Sequence, residues 1–490
     1  MKYLLRFFPE IIIKSREVRQ RYISVLRRNL RTQLDAVGPG ISVTGGWDSL
    51  SVDAPLDESS AQERVLQILT HTPGIDTVMQ VQTSELVDLD DVARRACELY
   101  APLISGRSFA VRCKRVGKHS FNSIEVERVV GAALMRAAEG ARVDLSNPDV
   151  SVRVGIQRSE LMLVENTYKG LGGYPLGTQD GVLSLISGGF DSTVSSYQCI
   201  KRGLLTHYCF FRLGGAEHEI AVKEVALYLW MKYGASHRVK FVTVPFEEVI
   251  EEIVSKVDNS QMGVIFKRVM MRAAGRIADR LKVEALITGE SVAQVASQTL
   301  ANLAIIDGAT DKLILRPLIT VDKREIIDIA RAIGTEEFVK NVPEYCSVVS
   351  VRPTTRARMH RIEREEANFD EAVLQAAIER AEYQMIDRVM EGLGRPQNAL
   401  QELQEPGADT VVIDIRHPDE EERNELVLGN LQTPVLKIPF YQLRSRFAEL
   451  PNDKSYALYC EKGMMSRLHA SHLREAGHAN VAVYRPVRSD

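Results

Sequence analysis

The chain has 490 residues, enough for about three domains at ~150 residues each. Its 26% charged and 45% hydrophobic residues, with 14 Phe, 15 Tyr and 2 Trp, exclude a disordered or low-complexity polymer. A formal net charge of −3 excludes a uniformly basic nucleic-acid coat and leaves local patches open. Apolar runs such as 182–186 fall far short of the ~20 residues of a membrane span, and the start at Met1 lacks the cleavage site of a signal peptide. Six cysteines with no CxxC pair point to free thiols in a reducing compartment, not to a disulfide framework. The expectation is a cytoplasmic, multidomain protein with no membrane contact.

Residues 1–31 carry nine Lys or Arg against only Glu10 and Glu17. Apolar periodicity predicts a strand over 4–8, a basic helix to about residue 34, a strand over 40–47, a short stretch at 49–52 and a helix over 59–69. That alternation implies a small ferredoxin-like α+β unit over 1–75. The next segment, 76–168, alternates again: a helix over 90–100, a strand over 108–114, a helix over 123–138 and strands over 150–154 and 161–166. Within it Arg112-Cys113-Lys114-Arg115-Val116-Gly117-Lys118-His119 is a basic strand and turn. Such a cluster alone is as readily a solvated face. Two basic patches in consecutive small domains, Lys14 and Arg19 in the first among them, shift the balance toward a phosphate-backbone partner.

Gly170-Leu171-Gly172-Gly173-Tyr174-Pro175-Leu176-Gly177 is dense in breakers and marks a boundary. Beyond it, strands over 182–186, 206–211, 238–244, 285–288 and 313–315 alternate with helices over 192–201, 216–233, 262–281 and 322–333. This pattern predicts a doubly wound, mainly parallel sheet over 176–350. Charged helices over 356–367 and 371–390 read as a helical connector over 351–403. The last stretch, 406–490, repeats the alternation on a smaller scale, with strands over 411–415, 435–438, 457–459 and 481–484.

The sharpest chemical signal is Ser187-Gly188-Gly189-Phe190-Asp191-Ser192, where the first strand of the parallel sheet gives way to a helix. Ligands bind at the carboxyl ends of such strands. Glycines let backbone N–H groups close on a phosphate, Ser187 and Ser192 add hydroxyls, and the helix N-terminus is electropositive. Asp191 suits that place only if a cation or a reacting group needs it. Neither GxxxxGK[ST] nor GxGxxG occurs. A second constellation, Cys460-Glu461-Lys462-Gly463-Met464-Met465-Ser466-Arg467, joins a strand to a helix. There loop N–H groups and the helix end lower a thiol pKa, and Lys462 and Arg467 add charge. Cys346, in Pro343-Glu344-Tyr345-Cys346-Ser347, is a further reactive candidate, whereas Cys97, Cys113, Cys199 and Cys209 fall in helices or strands and read as packing.

The loop 187–192 resembles the pyrophosphate loop, SGGxDS, of the ATP pyrophosphatases, which cleave ATP between the α and β phosphates. That likeness implies a crevice shared with Thr288-Gly289-Glu290, Gln294 and Ser297-Gln298-Thr299, with Lys267 and Lys323 as cations for phosphate. The Cys460 loop, with Asp414-Ile415-Arg416, resembles rhodanese domains, whose cysteine carries a persulfide. The order of parts, with Pro9-Glu10-Ile11, the basic turn 115–119, Asn147-Pro148-Asp149-Val150 and Gly172–Gln179, is similar over the whole chain to the rhodanese-bearing branch of the tRNA sulfurtransferase family. These are the tRNA 4-thiouridine synthases, also used in making the thiamine thiazole.

This resemblance implies an architecture of mixed α+β and α/β domains. The parts are a ferredoxin-like unit (1–75), a THUMP-like RNA-binding module (61–168), a doubly wound parallel-sheet ATP pyrophosphatase or PP-loop domain (176–350), the connector (351–403) and a rhodanese-like α/β domain (406–490). It implies ATP contacts at Leu185, Ile186, Ser187, Gly188, Gly189, Ser192, Lys267, Gly289 and Gln298, with Asp191 and Lys323 serving the chemistry. For tRNA it implies contacts at Arg112, Lys114, Arg115, Lys118, His119, Lys14 and Arg19. The implied cofactors are ATP with Mg2+, no prosthetic group and no metal held by the protein alone. The partners would be tRNA, a cysteine desulfurase loading sulfur on Cys460, and the thiazole sulfur-carrier protein. ATP would adenylate O4 of uridine 8, sulfur would replace it, and a Cys346–Cys460 disulfide would remain for an external reductant. Whether Cys346 acts before or after sulfur reaches the nucleotide is open. A homodimer would let one chain's N-terminal modules present the uridine to another chain's active site. The rival classes are an ATP-dependent amidating enzyme and a non-catalytic RNA chaperone.

Overall fold

The computed structural model describes residues 1–490 except 57, 214–215, 341–352, 391–400, 408, 417–420, 423–424, 427, 429–434, 461–463, 476 and 487–490. The chain divides into two compact units, Met1–Thr178 and Gln179–Asp490.

The first unit is one eight-stranded sheet backed by helices. Its strands are β1 (Lys2–Phe7), β2 (Ser42–Gly45), β3 (Ser49–Asp53), β4 (Ile75–Glu85), β5 (Ser108–Val116), β6 (Arg142–Val143), β7 (Val150–Gln157) and β8 (Glu160–Lys169), in the order β2-β3-β1-β4-β8-β7-β5-β6. The two small modules foreseen from sequence therefore share a sheet. The missing piece was β4, which pairs antiparallel with β1 on one side and with β8 on the other. Two separate apolar clusters fill the unit. One gathers Leu5, Leu26, Leu30 and Val65 under the helix Arg16–Leu34, and the other gathers Val92, Val130 and Leu163 under the helices Leu89–Ile104 and Ser123–Ala137.

The glycine-rich stretch after β8 is not slack. Gly170 N–H donates to the Asp76 carbonyl and Gly172 N–H to that of Ile75, each at 2.7 Å, and Asn29 Nδ2 donates to the Leu176 carbonyl at 2.8 Å. Tyr174 is buried in the first module's core and donates its hydroxyl to Glu10. A Cβ on Gly170 would stand 2.2 Å from the Ile75 carbonyl oxygen, so close approach of two backbones dictates glycine there.

The second unit holds two sheets. The larger comprises β9 (Gly181–Leu185), β10 (Leu205–Arg212), β11 (Lys240–Pro245), β12 (Ala285–Ile287), β13 (Leu313–Leu315) and β14 (Glu382–Met385). It runs β13-β12-β9-β10-β11-β14, parallel but for β14, which lies antiparallel on β11. Near-continuous burial along β9 to β12 follows from helices on both faces. β14 corrects the sequence expectation: the helix foreseen over 371–390 stops at Glu379, and the chain then satisfies the open edge of β11.

The smaller sheet comprises β15 (Glu402–Leu403), β16 (Thr410–Asp414), β17 (Val435–Lys437), β18 (Ser455–Tyr459) and β19 (Val481–Tyr484). It is parallel throughout, in the order β15-β19-β18-β16-β17. One apolar cluster joins the two sheets, with Val222 and Val225 of the helix Ala216–Leu229 beside Ile413, Leu458 and Ala470. Across that seam Glu224 Oε1 and His469 Nε2 come within 3.5 Å.

Candidate active site

In the larger sheet the strand order reverses between β9 and β12, and such a switch point opens a crevice at the carboxyl ends of both strands. The loop after β9 and the loop after β12 meet there. Gly188, at φ +82°, turns the first loop into the helix Phe190–Lys201. Ser192 then closes it from inside. Its Oγ accepts from the Ser187 N–H and lies 3.1 Å from Ser187 Oγ, and it donates to the Gly189 carbonyl at 3.2 Å. Ser192 is buried and Ser187 exposed, so the two hydroxyls foreseen as equal phosphate donors divide the work. Ser192 shapes the loop, and Ser187 presents an oxygen to the crevice.

His218, missed in the sequence, sits behind the loop with Nε2 3.1 Å from the Ser187 carbonyl. Burial lowers its pKa, the Ser187 carbonyl opposing, so a neutral imidazole donates Nε2–H to that oxygen at pH 7. Nothing in Ala216-Glu217-His218 distinguishes it from any helix-borne histidine.

Asp191 stands in the first turn of its helix with both oxygens engaged. Oδ1 accepts from Lys323 Nζ at 2.7 Å and Oδ2 from Gln294 Nε2 at 2.9 Å. Lys323 is the first residue of the helix Lys323–Ile333, and its ammonium also lies 5.5 Å from the Phe190 ring centroid. The 288–298 loop is pressed onto Asp191: a Cβ on Gly289 would lie 2.6 Å from the Asp191 carbonyl carbon and the Ser192 nitrogen. Ala293, at φ +65°, holds a left-handed conformation costly for alanine, and its N–H donates to the Gln298 carbonyl at 3.0 Å.

Lys267 reaches the crevice tied to Glu290 at 2.6 Å, whose other oxygen accepts from Arg316 Nε at 2.8 Å. Burial works to raise the Glu290 pKa, but Lys267 and then Arg316 outweigh it and hold the carboxyl below its ordinary range. Gln298 is buried and its Oε1 has no hydrogen-bond partner among the described residues, a polar atom left for a ligand to satisfy. Leu185 and Ile186 are buried beneath the same crevice mouth. The nucleotide residues expected from sequence thus converge on one switch point.

The smaller sheet repeats the logic. Its order reverses between β16 and β18, and the loops following those strands carry Asp414–Arg416 and Cys460. Arg416 grips Asp414 at 2.6 Å, both side chains buried, and its guanidinium carbon lies 5.2 Å from the Tyr459 ring centroid. Cys460 Sγ accepts from the Ser466 N–H at 3.3 Å, and its thiol donates to Ser466 Oγ at 3.4 Å. A sulfur that accepts a backbone N–H at a helix start is set up to carry negative charge. Arg467, expected to add charge there, pairs with Glu402 at 2.5 Å instead, because β15 brings that carboxylate alongside. Lys462 and Cys346 lie outside the described residues. The four other cysteines are packing: burial pushes the Cys199 thiol up to about 12 and raises Cys97, Cys113 and Cys209 as well.

In the first unit, Arg112, Lys114 and Lys118 are exposed, and burial alternates along the end of β5 so that Arg112 and Lys114 share its outer face. Arg115 and His119 build the turn. Arg115 Nη1 is 2.9 Å from His119 Nδ1, and His119 Nε2 is 2.6 Å from the Arg158 carbonyl, which fixes the proton on Nε2. Lys14 is exposed, 5.5 Å from the Tyr174 ring centroid. Arg19 departs from the sequence expectation of a solvent-facing contact. It is only 6% exposed, with its guanidinium committed to the Ile12 and Trp47 carbonyls.

Three stretches of the chain match known protein families. Residues 177–370 match the ThiI family, described as thiamine biosynthesis protein, residues 87–164 the THUMP domain, and residues 396–485 the rhodanese-like domain. Over 487 residues the chain is 52% identical to a tRNA sulfurtransferase of Azotobacter vinelandii (strain DJ), a match covering 99% of this chain and 100% of that protein. It is 50% identical, with the same coverage, to a tRNA sulfurtransferase of Pseudomonas putida. Among solved structures, a 4-thiouridine synthetase–RNA complex with bound ATP shares the fold. Its TM-score is 0.69 at 23% identity, over 78% of this chain and 99% of that one. PH1313 from Pyrococcus horikoshii follows with a TM-score of 0.52 at 18% identity, over 68% of this chain and 100% of that one.

Proposed function

The chain belongs to the tRNA sulfurtransferase family, and from that premise we propose that it converts uridine 8 of tRNA to 4-thiouridine by ATP-dependent adenylation and a persulfide relay. The observation that carries the reading is the meeting of Asp191, Lys323 and the Gly289 loop on a phosphate-type loop already closed by Ser192. ATP phosphates would take the N–H groups of 188–190 and the Lys267 ammonium, with Gln298 Oε1 left for the nucleoside. Asp191 would hold the magnesium ion entering with ATP, whose charge offsets that of the phosphates. Lys323 would then be freed to stabilise charge on the phosphate being attacked by the uridine O4.

Adenylation turns O4 into a leaving group. A desulfurase-loaded Cys460 persulfide supplies the sulfur, and AMP departs. If Cys346 attacks Cys460 Sγ first, sulfide is released and adds to C4. If the outer sulfur attacks C4 first, Cys346 resolves the mixed disulfide. Both routes leave a Cys346–Cys460 disulfide that an external reductant must reopen. The match of 177–370 to a thiamine biosynthesis family also supports a second acceptor, the adenylated C-terminus of a sulfur-carrier protein serving thiazole formation.

Nucleoside mass spectrometry of unmodified tRNA incubated with the protein, magnesium–ATP, cysteine and a cysteine desulfurase tests the reading. Wild type should yield 4-thiouridine, while Asp191→Ala and Cys460→Ser should each yield none above background. No thiouridine from wild type would refute the tRNA assignment, and product surviving Cys460→Ser would refute the relay.

A further inference from the structure

β2 is the outermost strand of the first unit's sheet, and its free edge is dressed with arginines from the helix Arg16–Leu34. Arg31 Nη2 donates to the Val43 carbonyl at 3.0 Å, Arg27 Nη2 to Gly45, and Arg19 Nη2 to Trp47. Cations on alternate carbonyls keep another strand from pairing there. They also make the edge a track of positive charge.

The track ends in an aromatic ring. Trp47 sits at the tip of the β2–β3 turn, which Gly45 (φ +97°) and a Gly46 N–H to Ser49 carbonyl bond at 3.1 Å hold in shape. The Arg19 guanidinium carbon lies 4.1 Å from the indole centroid. Arg19 is thereby buried against one side of the ring, yet Trp47 remains 48% exposed. An indole braced from behind and open in front is unusual, since Trp is highly buried on average. Ile12 and Ile13, 44% and 81% exposed, adjoin it through the Arg19 bond to the Ile12 carbonyl, and the exposed Lys14 and Arg16 follow.

We propose that Trp47 is a stacking platform for an unpaired nucleobase of the bound RNA, an inference resting on the tRNA reading above. A π-face beside a line of guanidinium groups is the combination by which proteins hold single-stranded nucleic acid. The ring stacks the base while Arg27 and Arg31 follow the phosphates. An apolar helix would need a continuous groove, and here the apolar groups are broken up by cations.

The chain has only two tryptophans, Trp47 and Trp230, so Trp230→Phe leaves Trp47 as the sole indole reporter. Full-length Trp230→Phe protein would be titrated with an unmodified tRNA transcript while binding is followed independently by mobility shift. Trp47 emission should be quenched in step with binding. Trp47→Leu, which keeps an apolar cover over Arg19, should bind about 10-fold more weakly with an unchanged salt slope, and Trp47→Phe should retain most of the affinity. Binding without quenching, or full affinity in Trp47→Leu, would overturn the platform while leaving the tRNA reading intact. Failure of the wild-type chain to shift tRNA at all would instead overturn both.

Discussion

A single methyl group tests how tightly the proposed ATP crevice is built. At Gly289 it would fall 2.6 Å from the backbone of Asp191 and Ser192, so Gly289→Ala must push the 288–298 loop off the phosphate loop. Overpacking of this kind costs about 1–3 kcal/mol. The expected outcome is ATP affinity reduced about 10- to 100-fold by calorimetric titration, with an unfolding midpoint close to wild type. Unchanged affinity would mean the two loops do not act together. At this scale the sequence was legible where chemistry is written in residue type. Gly188 and Gly189, Asp191 and Cys460 stand out unaided, because a strand-to-helix turn bearing those groups has few other uses. The partition between Ser187 and Ser192 was not legible, since burial decides it. Nor was His218, whose role depends on Phe210 and the Ser187 carbonyl lying across the fold. Arg19 was misplaced for the same reason: charge can be read from sequence, but the direction a guanidinium faces cannot.

Among the elements, long periodic ones were legible and short ones that complete a sheet were not. The helix Met262–Leu281 and the strand Val481–Tyr484 fall where their apolar spacing puts them. β4 was lost because a domain boundary drawn at residue 75 cut across it, although its Ile75, Met79 and Val81 alternate as a strand should. β14, Glu382-Tyr383-Gln384-Met385, is too short for its alternation to stand out from the helical run before it. It forms because β11 would otherwise end the sheet with unpaired peptide groups. The seam between the helices Ala216–Leu229 and Met464–Glu475 makes a prediction at this scale. Burial pushes Glu224 from its ordinary 4.5 up to about 8, so the folded state keeps a proton that the unfolded chain has lost. Its stabilising effect is present below pH 4.5 and disappears as pH rises through about 8. Glu224→Gln should therefore raise the melting temperature at pH 9 and barely alter it at pH 5 in scanning calorimetry. An equal shift at both pH values would disprove that account.

For the whole molecule, the sequence divided the chain by composition and the fold divides it by packing, and the two part company at the glycines. Residues 170–177 look like a hinge, and in the structure they bind back onto the unit they leave. The sequence could not disclose this, because glycine is chosen equally for freedom and for close approach, and only the neighbouring Ile75 carbonyl tells the two apart. A composition-based map would place the protease-sensitive site of this protein among those glycines, with amides that exchange within moments in heavy water. Instead the Gly170 and Gly172 amides, each 2.7 Å from its acceptor, should keep their protons about as long as their neighbours in β4. Limited proteolysis should accordingly spare 170–176 and cut elsewhere. The stretch that looks most like a joint would then be among the slowest parts of the first unit to yield.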